Sequence, residues 1–137
     1  GYEVDAVAVG SGWVAAAGSP PPAPGSTPAP ATVVVLDDEG KTLLRGVLPV
    51  PGRVARLVAV PAKQRLLAVV ADSRDGSGLL AAWDVPAARQ TGLQPVAFTR
   101  TFGSVWDLTP DGQHLATTTP DGVTVRGTGS TDSARSI

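Results

Sequence analysis

The sequence predicts an all-β protein built from repeated four-stranded antiparallel units, and three observations carry that prediction. The first is the stretch VWDLTPDGQHLATTTPDGVTVR, Val105 to Arg126, in which two Pro-Asp-Gly triplets separate three short apolar or β-branched runs. Pro presets φ at the second position of a turn and Gly supplies the freedom that the exit needs, so strand, turn, strand, turn, strand is an antiparallel meander. The second is an internal offset of 49 positions, which superimposes Pro110, Gln113 and Leu115 on Pro61, Gln64 and Leu66. The third is punctuation. With 16 Gly and 13 Pro in 137 residues, the Val-rich segments are interrupted every eight to twelve residues or so, too often for helices.

Taken in order, the first unit opens with a strand at Val4–Val9, a turn at Gly10-Ser11-Gly12 and a second strand beginning Trp13-Val14-Ala15-Ala16. Ser19–Ala31, SPPPAPGSTPAPA, interrupts it. Proline lacks an amide donor, so this insert reads as an exposed extended loop that cannot pair in a sheet and is dispensable for folding. Its Pro21-Pro22-Ala23-Pro24 matches a PxxP pattern, although a tolerated surface insertion accounts for it as well. A third strand follows at Ala31–Asp37, a turn at Asp38-Glu39-Gly40-Lys41, and a fourth strand at Thr42–Leu48.

The second unit repeats the rhythm: Arg56–Val60, a turn, a strand from Arg65, then Leu79–Asp84. Pro86–Gly92 reads as its last turn region, long enough for at most one helical turn, and Gln94–Thr101 as its fourth strand. The third unit has strands at Val105–Thr109, His114–Thr118 and Val123–Arg126. It ends in a polar tail with no fourth strand. The expected units are 1–53, 54–103 and 104–137, the last one incomplete.

Four-stranded units recurring at about 50 residues resemble the blades of a β-propeller. LTPDGQHLATTTPDGVTVR resembles the first three strands of a WD-repeat blade, and Leu80–Asp84, ending in Trp83-Asp84, resembles the strand that closes on the dipeptide that names the family. Val33–Lys41 resembles the same strand with Leu36 in place of Trp. The family's Gly-His dipeptide is missing from every unit, and the only histidine, His114, lies in a second strand. The usual buried hydrogen-bond network of Ser/Thr, His, Asp and Trp therefore cannot form here. Trp106-Asp107 opens a strand rather than closing one, which makes Trp106 a packing residue of the core or blade edge, or a partner contact. The resemblance implies a partial propeller of about three blades, a non-catalytic protein–protein interaction or scaffold module. Its alternative is a portion of a propeller enzyme of the lactonase or hydrolase type whose catalytic residues lie mostly elsewhere.

Composition narrows the chemistry. Eleven basic and twelve acidic residues give a net charge of −1, without the basic footprint of a nucleic-acid or anionic-lipid binder. No cysteine is present, so disulfides and thiolate metal sites are excluded while either redox compartment is allowed. No apolar run reaches the roughly 20 residues of a membrane helix and no signal peptide is visible. A cytoplasmic location is therefore the expectation. Many Ala, Gly, Pro and Arg with only two Lys point to a GC-rich bacterial genome. The absence of Met suggests a piece of a larger protein.

Reactive constellations are sparse. A single His allows a Ser–His–Asp triad but no His-rich metal site, and its place after a Pro-Asp-Gly turn suits a solvated strand start. Asp37-Asp38-Glu39 continues into Gly40-Lys41 as a hairpin turn. Asp72–Gly78 lacks the alternating ligand spacing of a calcium loop. No glycine pattern opens a helix to cradle phosphate. No catalytic residue, metal ligand or cofactor is thus expected. The candidate partner-facing residues are Arg53, Arg56 and Arg100, near the connections between units, together with Trp106. Three blades cannot close a ring. The expected partner is therefore the remaining blades, from the same polypeptide, a cleaved fragment or a second copy.

Overall fold

A computed structural model of the chain describes residues 3–21, 23–25, 29–60, 63–71, 77–97, 106–109, 113–119, 122–128 and 135–136. These form three four-stranded antiparallel sheets and no helix among the described residues. The first sheet comprises β1 (Glu3–Val9), β2 (Trp13–Ser19), β3 (Pro30–Asp37) and β4 (Thr42–Pro51). The second comprises β5 (Val54–Val60), β6 (Arg65–Ala71), β7 (Ser77–Asp84) and β8 (Arg89–Ala97). The third comprises β9 (Trp106–Leu108), β10 (His114–Thr119), β11 (Gly122–Gly127) and β12 (Arg135–Ser136). Each sheet is a meander whose strands lie in sequence order.

Turn chemistry sets the register. In the first sheet the Asp37 carboxylate accepts the amides of Glu39 (2.9 Å) and Lys41 (2.8 Å), and Gly40 takes φ +83°. This is a tight turn closed by one left-handed residue, a conformation that glycine adopts without strain. The acidic run is thereby a hairpin turn, as its sequence predicts. At the same place in the second sheet, the Asp84 carboxylate accepts the Ala87 amide at 3.0 Å, the Ala88 amide donates to the Val85 carbonyl, and Ala88 carries φ +51°.

That turn closes in four residues, Val85 to Ala88, and β8 starts at Arg89 rather than at the expected Gln94. The Asp84 cap shortens the predicted Pro86–Gly92 turn region. Pro95 sits inside β8, and Pro49 and Pro51 inside β4. Both are outermost strands, where a missing amide donor breaks no ladder on the open side.

Two further expectations are corrected. The Pro-rich insert is shorter than Ser19–Ala31. Ser19 pairs with Glu3, Pro30 pairs with Pro51, and Ala31 is fully buried, so the connection proper is 20–29. The third sheet also has a fourth strand. Arg135 and Ser136 pair with Val125 and Thr124. Ladder bonds use only backbone groups, so a polar two-residue tail can supply an outer strand that no hydrophobic pattern announces. The triplets Pro110-Asp111-Gly112 and Pro120-Asp121-Gly122 lie wholly or partly outside the described residues. The strands that flank them pair antiparallel, with Leu108 opposite Leu115 and Gly122 opposite Thr119.

The core lies between the sheets. Strand alternation sends Leu66, Ala68 and Val70 of β6 to one side and Leu67 and Val69 to the other. In β7, Leu79, Ala81 and Trp83 share the first side, and Leu80 and Ala82 the second. The first set packs against Trp13, Ala15, Ala17, Val33 and Val35 of the first sheet, and the second against Leu115 of the third. The second sheet is thus buried on both faces, which explains why β6 and β7 read as near-continuous apolar runs.

Candidate functional site

The seam between the first two sheets is the template for the site. Trp13, buried at the start of β2, donates its indole Nε1–H to the Gln64 side chain oxygen at 2.7 Å, which satisfies the one polar atom of the ring. Gln64 occupies the connection before β6 with φ +49°, and its carbonyl accepts the Val85 amide. One residue therefore ties the turn of the second sheet both to its own β7–β8 turn and to the first sheet. The Trp13 ring lies over Gly10, where any Cβ would collide with it.

Polar links stitch the inner strands along the same line. Arg53, just before β5, reaches Glu3 (3.4 Å) and Asp5 (3.9 Å) of β1, and Arg56 of β5 meets Asp107 of β9 at 2.9 Å. Between the second and third sheets, Arg65 donates to the Thr128 carbonyl, Gln94 to the Gly127 carbonyl and Arg126 to the Pro95 carbonyl. Arg53 and Arg56, expected to face a partner, are engaged across the seams, although both remain exposed. Arg100 lies outside the described residues. Trp106 opens β9 and pairs with Thr117, and its side chain lies outside the described residues.

The faces of the second sheet have direct counterparts in the first. On the face that β5, β6 and β7 turn to the first sheet, the cross-strand rows are Ala59–Leu66–Trp83, Leu57–Ala68–Ala81 and Val54–Val70–Leu79. The corresponding rows of β1, β2 and β3 are Val9–Val14–Leu36, Val7–Ala16–Val34 and Val4–Gly18–Thr32. In the second sheet this face is covered; Leu57 is 6% exposed. In the first sheet the β1 side of this face is open, with Val4, Val7 and Val9 63%, 67% and 74% exposed, while Gly18 and Thr32 at its end are buried. Val14 and Val47 extend the patch. These exposed apolar side chains on one sheet face make it the candidate contact surface. Sequence reasoning predicted that further blades partner the chain but located none of these residues as the site. The signal was present in β1 and β2, whose apolar residues occupy both faces of the strands.

Chemistry of other kinds finds little footing. His114 is exposed and its backbone amide donates to the Thr109 hydroxyl at 3.0 Å. Among the described residues no three His, Cys, Asp or Glu side chains converge as a metal site would require. Among the described residues no helix is long and apolar enough to cross a membrane.

With this geometry in place, comparison with known proteins settles the fold. The chain is similar to a solved structure titled "Structure of Dos1 propeller". Its TM-score is 0.59 over 91% of this chain, at 14% sequence identity. The three sheets are blades of a partial β-propeller. The chain spans 30% of the length of that propeller chain. No family model matches the chain, and no curated protein matches it.

Proposed function

We propose that the chain is a degenerate WD-repeat-like portion of a larger propeller that serves as a non-catalytic protein–protein interaction scaffold. The uncovered face of the first blade docks against a further blade. One observation carries this reading: the rows that are bare in the first blade are the rows by which the second blade is buried against its neighbour. Repeat folds bury each unit against its neighbours, so a blade with one bare apolar face implies another beside it. The remaining blades come from the same polypeptide or from a cleaved fragment that stays bound. The non-catalytic part of the reading is supported by how the polar side chains are used. Asp37 and Asp84 cap turns, and Arg53 and Arg56 join blades.

The chain has no cysteine, so Val9→Cys creates a unique thiol on the bare face. We expect a maleimide to label it rapidly in the 137-residue chain. In a longer polypeptide that supplies the other blades, the same thiol should be protected at least tenfold. Equal labelling in both would overturn the docking assignment.

A further inference from the structure

The bare face differs from its buried counterpart in two respects, and both describe what covers it. The row Val54–Val70–Leu79 of the second blade becomes Val4–Gly18–Thr32 in the first. The exchange of Val and Leu for Gly and Thr removes branched carbon volume from one end of the face. The result is a hollow of about 200 Å³, lined by Val4, Ala16, Gly18, Thr32 and Val34 with Arg45 at its edge. The chain cannot fill it from position 18, because a Cβ on Gly18 would collide with the carbonyl oxygen of Glu3.

Arg45 is the second difference. It lies opposite Val34, as Leu93 lies opposite Ala81 in the second blade. A guanidinium therefore replaces an apolar side chain on this face. Arg45 is exposed and forms no ion pair among the described residues.

We propose that the occupant is a blade that inserts a bulky apolar side chain, of phenylalanine size, into the hollow beside Gly18 and Thr32 and sets a carboxylate against Arg45. This rests on the reading that a further blade covers the face, and it adds the chemistry of that blade. Continuity with the internal seam supplies the first half: the same rows pack densely between blades one and two, and a close-packed seam does not leave a void of this size. An apolar cavity of about 150 Å³ accepts benzene, so an aromatic ring fits this one. Charge supplies the second half: Leu93, the counterpart of Arg45, stays 43% exposed in the covered seam, so Arg45 lies at the rim of the face, where a carboxylate on the facing blade pairs with its guanidinium.

A second copy of the chain matches poorly. Among the described residues, the apolar side chains on the far face of its third blade are Ala116, Val123 and Val125, none larger than Val, and the acid beside them, Asp107, already pairs with Arg56.

The test is an NMR titration of the ¹⁵N-labelled 137-residue chain with 3-phenylpropanoate, with 3-phenylpropanamide as the uncharged control. The acid is expected to bind in the millimolar range and to shift the amides of Ala16, Gly18, Thr32 and Val34. Thr32→Leu, which fills the hollow from within, should weaken both probes at least tenfold. Arg45→Gln, at an exposed position with little bearing on folding, should weaken the acid about threefold and leave the amide unchanged. Absence of shifts on this face, or an acid affinity indifferent to Arg45→Gln, overturns the proposal. Light scattering and the Val9→Cys thiol separate the two levels. A monomer with a free thiol that ignores the probe removes only the chemistry assigned here. A dimer with a protected thiol makes a second copy the occupant and removes the further-blade reading as well.

Discussion

Leu57→Ala and Val7→Ala form a matched pair, because the two residues hold the same place in adjacent blades, Leu57 opposite Ala68 and Val7 opposite Ala16. Leu57 is 6% exposed in the seam, and Val7 is 67% exposed on the bare face. Truncating a buried Leu removes its transfer free energy and leaves a cavity, which together cost about 2–5 kcal/mol; about 3 suits a site on an inner strand that can partly collapse. Truncating Val7 removes two carbons worth about 0.8 kcal/mol each when fully buried, here only a third buried, so about 0.5 kcal/mol is lost. At about 4 °C per kcal/mol for a chain of this size, the melting temperature should fall by roughly 12 °C for Leu57→Ala and 2 °C for Val7→Ala. Urea and thermal melts of the isolated chain followed by circular dichroism measure both. If Val7→Ala costs as much as Leu57→Ala, the first face is covered in solution and the open-face reasoning is wrong. If Leu57→Ala costs less than about 1 kcal/mol, the seam itself is not packed.

Other perturbations probe the remaining links. Trp13→Phe removes the 2.7 Å bond to Gln64 and strands a half-buried amide, and should cost about 1–2 kcal/mol in the same melts; a neutral result would mean water replaces the indole. Replacing residues 20–29 by a short Gly-Ser link should move the melting temperature by no more than about 2 °C, since the described residues of the loop lie outside the strands and closure entropy varies slowly with length; a drop of many degrees would show that it packs on a blade. Arg56→Gln breaks an exposed pair with Asp107 and should cost about 0.2–1 kcal/mol at low ionic strength, less in 0.5 M salt; a larger cost insensitive to salt would contradict a solvent-exposed ion pair.

The corrections to the sequence reading share a cause. β8 begins five residues early because the Asp84 carboxylate caps the turn, and a cap is a geometric event that Pro86 and Gly92 do not encode. β12 escaped notice because an outer strand needs only backbone groups. The cross-sheet partners of Arg53 and Arg56, Glu3 and Asp107, lie about 50 residues away, and no local pattern links them.

By itself the sequence determined the all-β class, the meander and the period, because turn residues and strand alternation act over a few residues and repeat along the chain. The bare face is another matter. Val7 and Leu57 read alike in sequence, as apolar residues of a first strand, and both point to the same side of their sheets. Only the tertiary structure decided that a neighbouring sheet buries one and leaves the other in water. Hydrophobic burial depends on which surface lies across the gap, and that surface is contributed by residues distant in the chain or outside it.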